Sequence, residues 1–170
     1  MTTTSADQRT VPLKALLDAF AVRARAYAHI FDVLRESFGE ARAVDLLAEA
    51  THRMGAANGG SLARFSPQDF AGLRETFLGA MTAPDALFAP EVLREDADHL
   101  DIEFHSCPLV RTWKEMGRSD EDIELLCQGA RAVDHGLFTG AGFSFVGEGW
   151  KRDGGDRCQL HIAAPHTAPL

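Results

Sequence analysis

The fold is decided by residues 104–135, which read FHSCPLVRTWKEMGRSDEDIELLCQGARAVDH. This stretch holds two of the three cysteines, Cys107 and Cys127, and an aspartate, Asp134, that lies among apolar residues at helical spacing. The residues before it have mainly helical patterns, and the residues after it alternate as short strands do. We therefore predict that helices and a small sheet meet around this stretch.

Cys107 lies where a strand pattern changes to a helix pattern. Residues 99–106 alternate between apolar and polar side chains, and residues 109–116 have helical spacing. Pro108 suits the first position of a helix, because the N–H that it lacks would have no acceptor there. Cys107 is therefore expected at a helix N-terminus, where free N–H groups stabilise a thiolate and lower the thiol pKa. The alternative is a small buried hydrophobic residue.

The next predicted helix begins at Ser119, a serine cap that is followed by three acids. Apolar residues then recur every three or four positions as far as Leu137, which predicts one continuous amphipathic helix. Cys127 and Asp134 lie on its apolar stripe, two turns apart. We expect Cys127 by itself to be a core residue. Because a buried carboxylate needs a partner, Asp134 is either satisfied by backbone N–H groups or works in a site.

The C-terminal part predicts a β-hairpin. Residues 142–150 and 157–163 alternate between apolar and polar side chains, and residues 151–156, KRDGGD, carry the Asp-Gly turn signal. Cys158 falls on the apolar side of the last strand, and His161 falls on the other side.

The N-terminal part predicts helices. From Pro12 to Phe38 the apolar residues alternate in steps of four and three, the repeat of a helix packed lengthwise against another helix. This pattern favours an intrachain core helix, and the seam of a homo-oligomer is the alternative. A second helix is predicted over residues 40–57 and a third from Ser66-Pro67 onward. Residues 91–98 are interpreted as a helical turn that leads into the first strand.

The fold class is then α+β, with N-terminal helices followed by a small antiparallel sheet that has helices packed on one face. We predict one domain over residues 1–170, with a helical part at 11–82 and a part that carries the site at 98–163. The ends, residues 1–10 and 164–170, are expected to be frayed.

Composition excludes several classes of function. The net charge of −8, without a basic stripe, argues against a nucleic-acid partner. No apolar run approaches the roughly 20 residues of a membrane span, and the first ten residues are too polar for a secretory signal. Three widely spaced cysteines do not suggest a disulfide framework. We expect a soluble, cytoplasmic protein that acts on a small molecule without a cofactor.

Three features resemble one known family in their order and spacing: Cys107-Pro108 after a strand, Cys127 and Asp134 on the next helix, and the segment Gly155-Asp156-Arg157-Cys158 leading into the last strand. That family is the L-2-amino-thiazoline-4-carboxylic acid hydrolases, and the resemblance covers residues 100–162. It implies a hydrolase that opens a cyclic, amidine-like C–N bond in a small heterocycle derived from an amino acid.

Three residues are predicted to be catalytic. Cys107 suits the nucleophile, and the N–H groups at its helix start could stabilise developing charge. Asp134 could act as a base toward water or bind the protonated nitrogens of the substrate. His105 lies two residues before Cys107 on the same strand face, so we expect it to accept the thiol proton.

Four further residues are predicted to bind substrate. Cys127 and Cys158 could converge with Cys107. Because an acidic protein repels anions in general, a substrate carboxylate would need a local cation, and Arg111 and Arg157 are the candidates.

Two other functions remain open. The three cysteines with His105 or His161 would make a tetrahedral metal site, although no pair has the short spacing of common zinc motifs. The chain could also be a non-catalytic domain that binds a small ligand or senses oxidants, since a reactive thiol can be oxidised without turnover.

Overall fold

The computed structural model describes residues 11–155 and 157–165, so Asp156 of the Gly-Asp-Arg-Cys segment and both predicted frayed ends lie wholly or mainly outside it. Along these residues the chain forms, in order, α1 (Leu13–Phe38), α2 (Glu40–Gly59), a 3₁₀ turn (Ala63–Phe65), α3 (Phe70–Gly79), α4 (Pro84–Leu87), β1 (Pro90–Glu95), β2 (His99–Phe104), α5 (Pro108–Glu115), α6 (Asp120–Ala130), α7 (Ala132–Gly140), β3 (Ser144–Glu148) and β4 (Cys158–Ala163).

The strands form one antiparallel sheet in the order β1-β2-β4-β3. The predicted hairpin is confirmed, because Ser144 of β3 pairs with Ala163 of β4. On β2, Leu100 and Ile102 are fully buried and face the helices, as the alternation predicts. The α+β class expected from the sequence is confirmed.

The long helix α1 is confirmed almost to the residue, but only its middle is buried. Ala24 and Phe31 are fully buried, whereas 62% of Phe38 is exposed. The indole Nε1 of Trp113 on α5 donates a buried hydrogen bond of 2.8 Å to the carbonyl oxygen of Ala24. Helix α1 therefore packs on α5 as well as on α2, and its use as a homo-oligomer seam stays a prediction. Across the described residues, no helix has the length and apolarity to cross a membrane.

Helices α2 and α7 lie backbone against backbone. A Cβ atom added to Gly136 of α7 would lie 2.1 Å from the carbonyl oxygen of His52 on α2. A Cβ atom added to Gly55 of α2 would lie 1.9 Å from the carbonyl oxygen of Val133 on α7. Since real Cβ atoms do not approach oxygen this closely, only glycine permits the contact. This contact fixes the position of α7, the helix that carries Asp134 of the candidate site.

The continuous helix predicted from Ser119 to Leu137 is wrong, because the chain bends at Arg131 between α6 and α7. The hydroxyl of Thr51 on α2 donates a buried hydrogen bond of 2.6 Å to the carbonyl oxygen of Gly129. In a helix that continued past this point, the carbonyl oxygen of Gly129 would instead accept a hydrogen bond from a backbone N–H of the next turn. Both helices therefore dock on α2, and the bend depends on a partner far away in the sequence.

Two other expectations are corrected. The third helix begins at Phe70 and not near Ser66, because the Asp69 carboxylate caps it by accepting a hydrogen bond of 2.9 Å from the backbone N–H of Gly72. Residues 91–98 do not form a helical turn, since most of them belong to β1 and the loop after it. Pairing with β2 supplies the backbone hydrogen bonds of this edge strand.

We expect Gly136→Ala to lower the free energy of unfolding by about 3 kcal/mol, because the added methyl group forces α7 away from the α2 backbone. Urea denaturation followed by circular dichroism measures the change. The matched control is Gly79→Ala at the end of α3, where an added Cβ meets nothing within 4 Å. Equal stability of the two variants would contradict the close contact.

Candidate active site

A cavity of about 750 Å³ lies between the helices and the sheet. Half-buried residues of two separate hydrophobic cores line it. Phe20 and Tyr27 pack against the core formed by α1, α2, α5 and α6, whereas Phe77 and Phe88 pack against the core of the sheet, α3 and α7. Small-molecule sites occupy ~300–1,000 Å³, so this volume is sufficient for a ligand.

The three cysteines come from three different elements and line this one cavity. Cys107 precedes α5, Cys127 lies on α6, and Cys158 begins β4. All three are free thiols. Cys107 and Cys158 also line a smaller neighbouring pocket of about 180 Å³ with Arg111.

Cys127 is the thiol whose pKa is lowered. The first cause is a hydrogen bond from the thiol of Cys158, which stabilises the Cys127 thiolate. The backbone N–H of Trp150 and the positive charge of Arg131 lower the Cys127 pKa further, against the effects of burial and of the Asp134 carboxylate. The Cys158 pKa is raised, because Cys158 donates that hydrogen bond and is buried. Of the two thiols, Cys127 is therefore the more acidic.

Cys107 sits at the N-cap of α5, as predicted, with extended backbone angles of φ −142° and ψ 118°. Burial nevertheless raises the pKa of its thiol to about 11, although backbone N–H groups of Val110 and Leu109 partly oppose the rise. The predicted lowering of the Cys107 pKa is therefore wrong. The enclosure of the sulfur outweighs the helix terminus, because desolvation disfavours the charged form.

Asp134 lines the cavity on α7, so it faces space that a ligand can fill and not backbone N–H groups alone. Burial raises the pKa of its carboxyl group to about 6, and the positive charges of Arg23 and Arg131 limit the rise. A carboxylate with this pKa is largely ionised at neutral pH and can accept a proton.

Arg23 is a cavity residue that the sequence argument missed. Its guanidinium lies 4.9 Å from the ring centre of Phe20 and 5.9 Å from that of Tyr27. Phe20, Arg23 and Tyr27 are three and four residues apart on α1, so their side chains lie on one face of the helix. This spacing was the signal from which Arg23 could have been predicted. The charge of Arg23 acts on both Asp134 and Cys107.

Arg131 is the second missed residue and lies at the bend between α6 and α7. Its Nη1 donates a hydrogen bond to the carbonyl oxygen of Gly147 on β3. A Cβ atom on Gly149 would lie 2.9 Å from Arg131 Cδ and 3.2 Å from Cys127 Sγ, so glycine leaves room beside both groups. Because the sequence predicts no bend, it gives no signal for this arginine. We call Cys107, Cys127, Cys158, Arg23, Arg131 and Asp134 the polar cluster.

His105 does not join the polar cluster, contrary to expectation. Its Nε2 lies 2.8 Å from Glu91 Oε2, and its Nδ1 lies 3.5 Å from Glu103 Oε1. His105 is not among the residues that line either cavity. Pairing of β1 with β2 sets Glu91 opposite Glu103, and this pair of acids binds the imidazole. The ring is therefore not placed to take the Cys107 proton.

The two predicted arginines differ in position. Arg111 lines the smaller pocket and also lies 3.9 Å, through Nε, from Glu115 Oε1. Arg157 Nη1 lies 3.6 Å from Glu103 Oε1, and Arg157 is not a lining residue of either cavity. Neither arginine contributes to the 750 Å³ cavity.

The metal site that the sequence left open as an alternative lacks the required geometry among the described residues. Over residues 11–155 and 157–165, the ligand atoms that lie within 4.8 Å of one another belong to Glu91, Glu103 and His105, not to the thiols. The other candidate ligand, His161, has its Nδ1 3.0 Å from Asp101 Oδ1. Neither His105 nor His161 therefore lies with the thiols as a fourth ligand of a tetrahedral set.

The chain belongs to the L-2-amino-thiazoline-4-carboxylic acid hydrolase family, whose model matches residues 19–162. Among solved structures, the fold resembles the crystal structure of the phenol-responsive sensory domain of the transcription activator PoxR with phenol. The TM-score is 0.51 at 13% identity, over 85% of this chain and 74% of that chain, so the similarity concerns the fold alone. A comparison with curated proteins found no match.

We expect Cys127 to react with iodoacetamide at a lower pH than Cys107, with an apparent pKa below the ~8.5 of a free thiol. Peptide mass analysis of the alkylation rate against pH measures each thiol separately. Replacing the donor by Cys158→Ala should raise the midpoint of Cys127, and Cys158→Ser, which keeps a donor, should raise it less. A lower midpoint for Cys107 than for Cys127 would reverse the assignment.

Proposed function

We propose that this chain hydrolyses a ring C–N bond in a small cyclic amidine of the thiazoline type, with a cysteine thiolate as nucleophile. The observation that carries the proposal is that three thiols and the Asp134 carboxyl group line one ligand-sized cavity, with the pKa of Cys127 lowered by the hydrogen bond from Cys158. Membership of the hydrolase family supports the reaction class.

In the first step, the Cys127 thiolate adds to the central carbon of the amidinium ion, whose ring nitrogen already carries one proton, and the electron pair of the C=N bond moves to that nitrogen. The neutral thiol of Cys107, whose pKa is raised to about 11, supplies a proton to this nitrogen. The C–N bond then breaks, and the nitrogen leaves as an amine. Cys107, predicted from the sequence as nucleophile, is here the proton donor, because its thiol stays protonated.

In the second step, water adds to the carbon that is now bonded to Cys127, and Asp134 accepts one proton of the water. A carbonyl group forms as the Cys127 thiolate leaves, and Cys107 regains its proton from the hydroxyl. One water molecule is consumed, and the ring C–N bond is replaced by a carbonyl group and a free amine. The amine takes the proton that Asp134 holds.

A substrate carboxylate is assigned to Arg23. Its guanidinium lines the cavity, whereas Arg157 is paired with Glu103 and Arg111 lines the smaller pocket. A guanidinium held over aromatic rings is well oriented to bind a planar carboxylate.

We expect Cys127→Ser to reduce kcat for 2-amino-thiazoline-4-carboxylate by about 10³-fold or more, because the serine hydroxyl is not ionised at neutral pH. Cys107→Ser should reduce kcat by about 10²-fold, as is usual for loss of a proton donor. The release of the amine measures turnover. Arg157→Gln is the control and should retain activity. Full turnover by Cys127→Ser would exclude the thiolate mechanism.

The pH dependence tests Asp134. Since the base must be ionised, kcat/KM should fall as the pH drops below about 6, the pKa of Asp134. Arg23 lowers that pKa, so Arg23→Gln should move the midpoint of the fall to higher pH. The control is Arg25→Gln, an exposed neighbour on α1 that does not line the cavity. An unchanged midpoint in Arg23→Gln would contradict the assignment.

The second candidate function is a non-catalytic domain that binds a small ligand. The size of the cavity and the aromatic side chains in its lining favour it, and the structural neighbour of similar fold is a sensory domain solved with phenol. A ligand that raises the melting temperature of the wild-type chain and is recovered unchanged, with no turnover of any thiazoline tested, would support this function over hydrolysis.

A further inference from the structure

We propose that the ligand of the 750 Å³ cavity is a polar heterocycle that carries an aromatic substituent. The heterocycle lies at the polar cluster, and the substituent lies against the aromatic wall, which we define as Phe20, Phe88 and Phe104. The inference rests on the proposed function for the polar ring, and goes beyond it in assigning the rest of the cavity.

The first observation is volume. A thiazoline with an amino group and a carboxylate is a single five-membered ring with two small substituents. A cavity of about 750 Å³ lies in the upper part of the ~300–1,000 Å³ range of small-molecule sites. Contact with both the polar cluster and the more distant lining residues therefore requires a larger ligand.

The second observation is the arrangement of the aromatic wall. The ring of Phe20 meets that of Phe88 edge to face, with centres 5.5 Å apart and planes at 81°. The ring of Phe88 lies 5.5 Å from that of Phe104 at 51°. All three line the cavity, and Phe20 and Phe88 are only half buried. The exposed parts of the Phe20 and Phe88 rings thus remain available to a further aromatic ring, beside the Arg23 guanidinium that lies over Phe20.

The third observation is the connection between the aromatic wall and the polar cluster. The guanidinium of Arg23, 4.9 Å from the ring centre of Phe20, belongs to the polar cluster. A heterocycle whose carboxylate binds Arg23 therefore has the aromatic wall directly beside it. The substituent can reach the wall without a long linker.

Binding to the Cys127→Ser variant tests the inference without turnover. Isothermal titration compares 2-amino-thiazoline-4-carboxylate with the derivatives that carry a phenyl or a cyclohexyl group on ring carbon 5. We expect the phenyl derivative to bind roughly tenfold tighter than the parent ring and tighter than the cyclohexyl derivative. A phenyl derivative that binds no better than the parent, or no better than the cyclohexyl derivative, overturns the inference.

The second test removes one ring from the aromatic wall. In a Cys127→Ser background, Phe88→Leu should reduce the advantage of the phenyl derivative severalfold and leave the affinity of the parent ring unchanged. The matched control is Phe38→Leu at the end of α1, where 62% of the side chain is exposed. An advantage that survives Phe88→Leu overturns the placement of the substituent.

The two proposals fail in different ways. Wild-type turnover of the parent ring, without tighter binding of the phenyl derivative, supports hydrolysis and overturns the aromatic substituent. Tighter binding of the phenyl derivative, without turnover of either compound, supports the aromatic substituent and contradicts hydrolysis.

Discussion

The candidate site depends on the backbone contact between α2 and α7. Asp134 belongs to α7, and α7 lies where it does because Gly55 and Gly136 have no side chains. If side chains separated α2 and α7 by the usual distance between packed helices, α7 would lie farther from α2. The Asp134 carboxylate would then lie differently relative to Arg23. The same packing requires the bend at Arg131, which brings a second cation to the cavity. Helix packing thus determines the charge environment of the acid.

Burial and local partners act in opposite directions on the groups of the cavity. Enclosure raises the pKa of Cys107 and of Asp134, because both lose hydration of their charged forms. Cys127 is equally enclosed, yet its pKa falls, since the Cys158 thiol donates to its sulfur. One cavity therefore presents a thiol of lowered pKa, a thiol of raised pKa and a carboxyl group whose pKa is raised to about 6. This separation of protonation states allows a nucleophile, a proton donor and a base to lie in one site.

The parts of the fold that depend on local pattern could be predicted from the sequence. The periodicity of α1 and the alternation of β2 and β4 depend only on which side chains face the core. The bend at Arg131 and the strand β1 could not be predicted, because each depends on hydrogen bonds from a distant element. Thr51 supplies the donor at the bend, and β2 supplies the partners of β1. Propensity within a segment contains no information about such partners.

The same distinction explains the site. The sequence indicated which residues carry chemistry through the order of Cys107, Cys127, Asp134 and Cys158. All four line one cavity. The sequence did not indicate which thiol has the lowered pKa, because the deciding hydrogen bond joins α6 to β4. A helix N-terminus is a local feature and can be predicted, whereas enclosure of the sulfur is a property of the whole fold. The pKa of a thiol can therefore be predicted from sequence only where the burial of its sulfur is already known. At Cys107 the desolvation of the thiolate outweighs the helix N-terminus.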